Sequence, residues 1–152
     1  MDRDAERVER RRAWFRMHWQ DEVAFNRLCG LRITRWDPDG VDATLPFAEQ
    51  LTAHEGILHG GVIAALIDTI GTGAVIAGHD YETGTRSMTV SLTVNYLSAA
   101  PGQDLVANAR VTKRGRLVSF AEVDVRGAGT GKLVAQGLVT TLVSGDRPGV
   151  PD

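Results

Sequence analysis

The sequence has few of the residues that define several large classes of protein. Only one cysteine, Cys29, occurs among the 152 residues, so no intrachain disulfide framework can form and an intracellular protein is expected. Neither sign of charge dominates, because 17 lysines and arginines are balanced by 19 aspartates and glutamates, giving a formal net charge of -2. This balance gives no general electrostatic reason to expect a nucleic acid partner.

A long uninterrupted apolar run is also missing. The opening residues, MDRDAERVERRRAWFRMHWQ, carry charges where a secretion signal has its apolar segment, so a cytoplasmic location is predicted. The most apolar stretch, 62–77, is shorter than the roughly 20 residues of a membrane-spanning helix and contains Asp68, Thr69 and Thr72. A membrane partner is therefore not expected.

The length predicts one domain with its own core. We predict an N-terminal helical segment over 1–29 that belongs to this domain, a main part over 30–145 and a C-terminal tail over 146–152. The pattern of this segment predicts a charged amphipathic helix from Ala5 to Leu28, which ends at Gly30. Its predicted apolar or mixed face consists of Trp14, Phe15, His18, Val23, Phe25 and Leu28.

Strand patterns occur before and after the apolar stretch. The runs LRITRW and VDATLPF alternate with period two around the turn residues DPDG, which predicts a hairpin. Four more strand-like runs follow: RSMTVSLTVNYL, DLVANARVTKR, RLVSFAEVDVRG and KLVAQGLVTTLVS. Alternation puts Val90, Leu92, Val94 and Tyr96 on one face, and it puts Val118 and Phe120 on the face opposite to Val123 and Val125.

The central stretch is too long for one strand and lacks polar alternation, which favours a buried helix. Because a helix that is apolar on all sides must be covered on all sides, the order of elements predicts an α+β fold. In this fold a long antiparallel sheet curls around one central hydrophobic helix.

Three segments resemble the hotdog-fold acyl-CoA thioesterases of the phenylacetic-acid-degradation and 4-hydroxybenzoyl-CoA type: GLRITRWDPDGVDATLPF, GILHGGVIAALIDTIGTG and TVSLTVNYLSAAPGQDLVANARVTKRGR. The resemblance extends from Phe25 to Val143, and its most specific part is Gly-x-x-His-Gly-Gly with an acid eight residues after the first glycine of the pair. It implies a hotdog fold, hydrolysis of an acyl-CoA thioester, and a homodimer or a homotetramer built as a dimer of dimers. Neither a cofactor nor a metal ion is expected.

Thioester hydrolysis needs hydrogen-bond donors for the oxyanion and a base or nucleophile for the attack. A helix that begins at Gly60 and Gly61 offers unpaired N–H groups, and the absence of side chains lets a carbonyl approach. The N–H of Gly60 is the preferred donor. Asp68 supplies the carboxylate, which either activates water or attacks the carbonyl to form an anhydride.

The spacing of these two groups predicts a second subunit. Eight helical residues at a rise of about 1.5 Å separate Gly60 from Asp68 by about 12 Å, which is too far for both to act on one carbonyl. An antiparallel copy of the helix would bring its Asp68 beside the first Gly60. We therefore expect a dimer with two composite sites.

Several other residues are candidates for supporting roles. His59 either forms hydrogen bonds in the site or only holds the loop, and Thr72 either orients the carboxylate or water or bonds to the carbonyl four residues back. The resemblance places Thr89 at a position where some relatives carry a polar active-site residue. A basic turn consists of Lys113, Arg114 and Arg116. This turn either holds the phosphates of coenzyme A or is a solvated hairpin.

One position departs from the family pattern. Relatives commonly have Asn or Gln seven residues before the first glycine of the pair, where this chain has Ala53 followed by His54 and Glu55. Either His54 or Glu55 replaces the missing amide, the rate is lower, or the alignment slips by one residue. The alternative function is a non-catalytic acyl-CoA-binding hotdog module in which Asp68 is structural; the spacing of Asp68 from the glycines favours the enzyme.

Overall fold

The computed structural model describes residues 2–38, 40–54 and 56–152. Its N-terminal part consists of three helical pieces: α1 over Arg3–Met17, a π-helical turn over His18–Glu22, and α2 over Ala24–Cys29. Val23 has an extended backbone between the second and third pieces, with φ -71° and ψ 110°. Gly30 ends α2 in the left-handed conformation that glycine adopts without strain.

The prediction of one continuous helix is therefore wrong after α1. Phe25 and Leu28, predicted to lie on the apolar face, are 50% and 72% exposed, whereas Trp19 and Cys29 are buried. A π turn takes up more residues than an α turn, and the extended residue before α2 breaks the periodicity. A constant helical spacing consequently assigns the wrong side chains to the core.

Six strands form one antiparallel sheet. They are β1 over Arg32–Asp37, β2 over Gly40–Leu45, β5 over Ser87–Tyr96, β6 over Leu105–Arg114, β7 over Val118–Gly127 and β8 over Leu133–Val143. Their order across the sheet is β1-β2-β6-β7-β8-β5. The predicted β1–β2 hairpin is confirmed, although its turn residue Asp39 lies outside the described residues.

The central helix, α3, spans Gly60–Ala77 and packs across the inner face of the sheet. Two glycines permit a close approach: a Cβ on Gly71 would lie 2.5 Å from Val139, and one on Gly137 would lie 2.3 Å from Ile67. By length and composition α3 could cross a membrane, but 61% of it is buried inside this protein. The predicted buried helix and α+β arrangement are both confirmed.

A short loop structure leads into α3. It contains a 3-10 turn over Glu49–Leu51 and a small antiparallel pair formed by β3 over Thr52–His54 and β4 over Ile57–Leu58. The N–H of Gly102, in the connection between β5 and β6, donates to the carbonyl of Gly56, and the N–H of His59 donates to the carbonyl of Leu51. The start of α3 is thus held by backbone pairing on its N-terminal side.

Strand alternation predicts the β7 faces correctly. Val123 and Val125 are fully buried towards α3, whereas Phe120 is exposed on the opposite, outer face. In β5 the prediction is only partly right, because a β-bulge at Val90 interrupts the register between Thr89 and Ser91. After the bulge the pairing with β8 is continuous from Ser91 to Tyr96.

β5 is an edge strand of the sheet. It pairs only with β8, so its other side has no strand neighbour in the described chain. Val90 is 60% exposed, and Met88, Leu92 and Tyr96 are exposed along the same strand. An open strand edge with apolar side chains is a surface that proteins usually cover.

Candidate active site

Asp68 lies in the middle of α3, where it is half-buried and lines an open cleft. The cleft has a volume of about 200 Å³. It is lined by Trp19, Val23, Asp68, Thr69, Thr72, Ser87 and Thr89. The carboxylate that the sequence singled out is therefore reachable by a small molecule.

Three threonine hydroxyls form a chain that ends on this carboxylate. Thr89 Oγ1 lies 2.6 Å from Asp68 Oδ1, and Thr72 Oγ1 lies 3.2 Å from Thr89 Oγ1. Thr141 Oγ1 lies 3.2 Å from Thr72 Oγ1 on its other side. An ionised carboxylate only accepts, so Thr89 donates to Asp68, Thr72 donates to Thr89, and Thr141 donates to Thr72.

The hydrogen bonds among these threonines distinguish the two oxygens of Asp68. Oδ1 is held by Thr89. Oδ2 has no hydrogen-bond partner among the residues that the structure describes, so it is the oxygen available as base or nucleophile. Thr72 and Thr89, both predicted at the site, are brought to Asp68, and Thr72 acts on it through Thr89.

The start of α3 has one engaged and one free glycine N–H. His59 caps the helix, and its Nδ1 accepts from the N–H of Gly61 at 2.8 Å. The N–H of Val62 donates to the His59 carbonyl at 2.9 Å. Among the described residues the N–H of Gly60 has no partner, so it is free to donate a hydrogen bond, whereas His59 is engaged in capping the helix; the role of Gly60 towards an oxyanion stays a prediction.

Tyr96, in β5, also contacts the helix start. Its hydroxyl donates to the carbonyl of Gly60 at 2.6 Å, and a Cβ on Gly60 would lie 3.4 Å from its ring. A second cleft of about 350 Å³ opens here and includes Gly60, Ile57, Ile63 and Tyr96 among its lining residues. Within one chain, Gly60 and Asp68 thus line different clefts, as expected from their separation of about 12 Å along the helix.

The predicted basic cluster is divided by the sheet. Lys113 is paired with the outer-face residue Phe120, and it lines an outer-face cleft of about 540 Å³. Arg114 is paired with buried Ser119 on the inner side, where its Nη1 donates to the Val75 carbonyl at 2.8 Å. Neighbouring residues of a strand point to opposite faces, so the structure does not bring Lys113 and Arg114 together.

Arg114 belongs to a cap on the C-terminal end of α3. Tyr81 donates its hydroxyl to the Ile76 carbonyl at 3.0 Å, and Arg12 Nε donates to the Ala77 carbonyl. Burial raises the pKa of Tyr81, which keeps its hydroxyl protonated as a donor. Arginines at this end also complement the negative end of the helix dipole. One guanidinium nitrogen of Arg114 is therefore occupied within the fold, and its role towards phosphate stays a prediction, as it does for exposed Arg116 and Lys113.

The residues around the missing amide are only partly described. Ala53 and His54 are exposed in β3, and Glu55 lies outside the described residues. The replacement of the amide by His54 or Glu55 consequently stays a prediction.

Several residues near the site were not found by the sequence reasoning. Trp19 Nε1 donates to the Thr69 carbonyl at 2.7 Å, and Asn26 Oδ1 accepts from the Thr69 hydroxyl at 3.1 Å. Thr141 is 69 positions from Thr72 in the chain. No periodicity or short motif connects residues so far apart, so the sequence held no signal for these contacts.

Comparison with known proteins agrees with this geometry. The Thioesterase superfamily profile matches residues 55–134. Human acyl-coenzyme A thioesterase 13 is 36% identical over 115 residues, covering 74% of this chain and 80% of that protein.

Solved structures give the same result. Thioesterase superfamily member 2 from zebrafish matches with a TM-score of 0.72 and 31% identity, over 88% of this chain and 95% of that chain. The mouse structure of that name matches with a TM-score of 0.75 and 29% identity, over 87% and 96% of the two chains. The predicted hotdog fold is thereby confirmed, and the chain belongs to the Thioesterase superfamily.

Proposed function

We propose that this protein is an acyl-CoA thioesterase, hydrolysing its substrate to a free acid and coenzyme A. The observation that carries the proposal is the Asp68 carboxylate, which lines an open cleft and is held through Oδ1 by Thr89, while Oδ2 has no hydrogen-bond partner among the described residues. An acyl-CoA thioesterase among the relatives and the Thioesterase superfamily profile support the same activity. The spacing from Gly60 to Asp68 supports the finer assignment to the phenylacetic-acid-degradation and 4-hydroxybenzoyl-CoA type.

The active site is completed by a second copy of the chain. Gly60 and Asp68 line different clefts of one chain, so neither cleft alone has both the oxyanion donor and the carboxylate. The exposed apolar edge of β5 supports pairing with a second β5, which would bury that edge. The homodimer, and a homotetramer formed from two such dimers, are parts of this proposal.

In the composite site each group has a separate task. Gly60 N–H donates to the thioester carbonyl oxygen as negative charge develops on it. Asp68 Oδ2 of the other chain either takes a proton from water that attacks the carbonyl carbon, or attacks that carbon itself, and water then cleaves the anhydride. In both routes the C–S bond breaks and the coenzyme A thiolate leaves, to be protonated by solvent.

A cytoplasmic location is also proposed. The single cysteine, Cys29, is free and buried against the core, which suits a reducing compartment. Its burial raises the pKa of the thiol, so little reactive thiolate forms at neutral pH.

Turnover of acyl-CoA is the first expected result. Purified protein, incubated with short, medium, long and aromatic acyl-CoAs, should release free thiol at a rate proportional to enzyme concentration, as measured with a chromogenic thiol reagent. If every acyl-CoA binds but none is hydrolysed, the non-catalytic binding module, favoured by the missing amide at Ala53, is the correct function instead.

Binding of the nucleotide is expected to depend on the basic turn. Arg116→Ala, alone and together with Arg114→Ala, should raise KM for acyl-CoA on the order of tenfold, because a charge-assisted contact to phosphate is lost. Because the remote nucleotide is bound equally before and during the reaction, kcat should change little. Steady-state kinetics measure both constants.

A thioester without the nucleotide separates this effect from a damaged fold. It should be hydrolysed equally by the parent and both variants, whereas Arg126→Ala, at the far end of β7, is the control with an unchanged KM for acyl-CoA. Arg114→Ala also removes the bond to the Val75 carbonyl, so the single Arg116 variant is decisive. An unchanged KM in that variant would make Arg116 part of a solvated turn.

A further inference from the structure

Thr141 is a polar residue on the inner face of β8, where it is fully buried. The other residues of β8 on this face carry no polar side chain: Ala135, Gly137, Val139 and Val143. Thr141 lies beyond residues 55–134, which match the Thioesterase superfamily profile, so membership of the family assigns it no role. A buried hydroxyl costs free energy unless it is hydrogen-bonded, and valine has nearly the same shape without that cost. A hydrogen-bonding role for the hydroxyl would account for threonine at this position.

The hydrogen-bond partner of the Thr141 side chain is Thr72 of α3. The register of the sheet pairs Thr141 with Thr89 of β5, and Thr72 Oγ1 lies 3.2 Å from each of their hydroxyls. A hydroxyl has a single hydrogen, and Thr89 donates its own to Asp68 Oδ1 at 2.6 Å. Thr72 consequently donates to Thr89 and accepts from Thr141. Thr141 is thus the first donor of the chain that ends on the carboxylate.

Thr72 has an alternative acceptor within its own helix. A threonine in a helix adopts two side-chain rotamers, because its hydroxyl can also donate to the backbone carbonyl four residues earlier. For Thr72 that carbonyl belongs to Asp68. The hydroxyl of Thr72 is bonded to the two threonines of the sheet instead. The bond donated by Thr141 therefore stabilises the rotamer in which Thr72 supports Thr89.

We propose that Thr141 is a positioning residue of the active site. Its hydroxyl keeps Thr72 turned towards Thr89, and Thr89 in turn fixes Asp68 through Oδ1, which leaves Oδ2 for the reaction. Thr141 touches no substrate itself, since it is fully buried and lines neither the Asp68 cleft nor the Gly60 cleft. The proposal rests on the thioesterase function proposed above and adds the residue that holds its carboxylate in one orientation.

Two substitutions of Thr141 separate the effect of its hydroxyl from the effect of its shape. Thr141→Val keeps the shape but removes the hydroxyl, and should lower kcat on the order of tenfold with KM unchanged. Thr141→Ser keeps the hydroxyl but loses a methyl group, so it should lower the urea midpoint while kcat stays within about twofold of the parent's. Thr140→Val is the matched control, because the adjacent threonine of β8 lines the outer-face cleft, and its kcat should be unchanged.

A double-mutant cycle tests whether Thr141 acts through Thr72. Thr72→Val removes the link to Thr89, so adding Thr141→Val to it should cause no further loss of kcat. Two losses that multiply, an unchanged kcat in Thr141→Val, or a loss that Thr141→Ser shares would each overturn the proposal. Should Thr141→Val fail to fold, Thr141→Ala takes its place in the same comparisons, because it also lacks the hydroxyl.

A measurement without catalysis separates this proposal from the proposed function. In protein made with isotope-labelled aspartate, the NMR signal of the Asp68 carboxyl carbon is identified by its absence in Asp68→Asn. This signal should shift in Thr141→Val and stay in place in Thr141→Ser and Thr140→Val. If the parent shows no turnover, the thioesterase function is rejected, and the selective shift keeps the positioning role of Thr141. An unshifted signal in Thr141→Val would overturn that role, with or without turnover.

Discussion

Asp68→Asn is expected to keep the fold and to lose acyl-CoA hydrolysis by a factor of about 100 to 10,000, because the amide cannot act as base or nucleophile. Asparagine has nearly the same shape, and its side-chain oxygen can still accept from the Thr89 hydroxyl that holds Oδ1. Initial rates of thiol release, measured at saturating substrate, give the loss in kcat. Binding of acyl-CoA should be retained, since the substrate-contacting walls are unchanged.

The control for this substitution is Asp80→Asn, which removes an exposed carboxylate just after α3. Both variants should match the parent in circular dichroism and in urea midpoint, and only Asp68→Asn should lose turnover. If purified Asp68→Asn keeps more than half of the parent's turnover, Asp68 is structural and the mechanism proposed above is wrong.

Mixing two inactive variants is expected to restore activity if the site is shared between chains. One chain carries Asp68→Asn, and the other carries Gly60→Pro, whose homodimer should lose about 100-fold to 1,000-fold with the oxyanion donor. Proline suits the first position of a helix, and the preceding residue, His59, already has the extended backbone that proline requires, with φ -63° and ψ 133°. Gly60→Ala keeps the N–H and places its Cβ in ordinary contact with Tyr96, so it tests the donor separately from the side chain.

The fraction of activity restored by mixing can be calculated. Equal mixing after reversible dissociation gives half heterodimers, each with one intact site of two, so activity should return to about a quarter of the parent's under two-fold pairing. Light scattering should first give a mass of at least two 16.4 kDa chains for each variant.

A double variant provides the matched control for mixing. When Asp68→Asn is mixed with a chain carrying both substitutions, no site has both groups, and nothing should be restored. If light scattering shows that subunits exchange, yet the first mixture also stays inactive, Gly60 and Asp68 do not meet across an interface.

The fold was predictable wherever one periodicity holds along an element. The alternation in β2 and β7 and the apolar run of α3 identify these elements, because each is covered continuously on one face or on most sides. In β1 the register shifts between Ile33 and Arg35, so its alternation is interrupted. The prediction is wrong at the N-terminal segment, where a π turn and an extended residue change the spacing. It is partly wrong at Val90, where the β-bulge adds a residue that no partner strand matches.

Some residues of the candidate site were also predictable from the sequence, and others were not. Asp68, His59 and the glycine pair follow from a short motif, because all of them lie on one helix and the loop before it. The predicted cluster of basic residues does not form, because Lys113 and Arg114 are adjacent in β6 and point to opposite faces of the sheet. Sequence proximity predicts spatial proximity along a helix face but not across a strand.

The sequence by itself determined the local chemistry of this protein: a carboxylate at a fixed rise from a helix start, inside a run apolar enough to require cover. Only the tertiary structure decided which groups hold that carboxylate and the threonines around it. Thr141 approaches from β8, and Trp19 and Asn26 approach from a segment that precedes the sheet. These contacts depend on how β5, β8 and the N-terminal segment pack around α3, and packing joins residues that no local spacing relates.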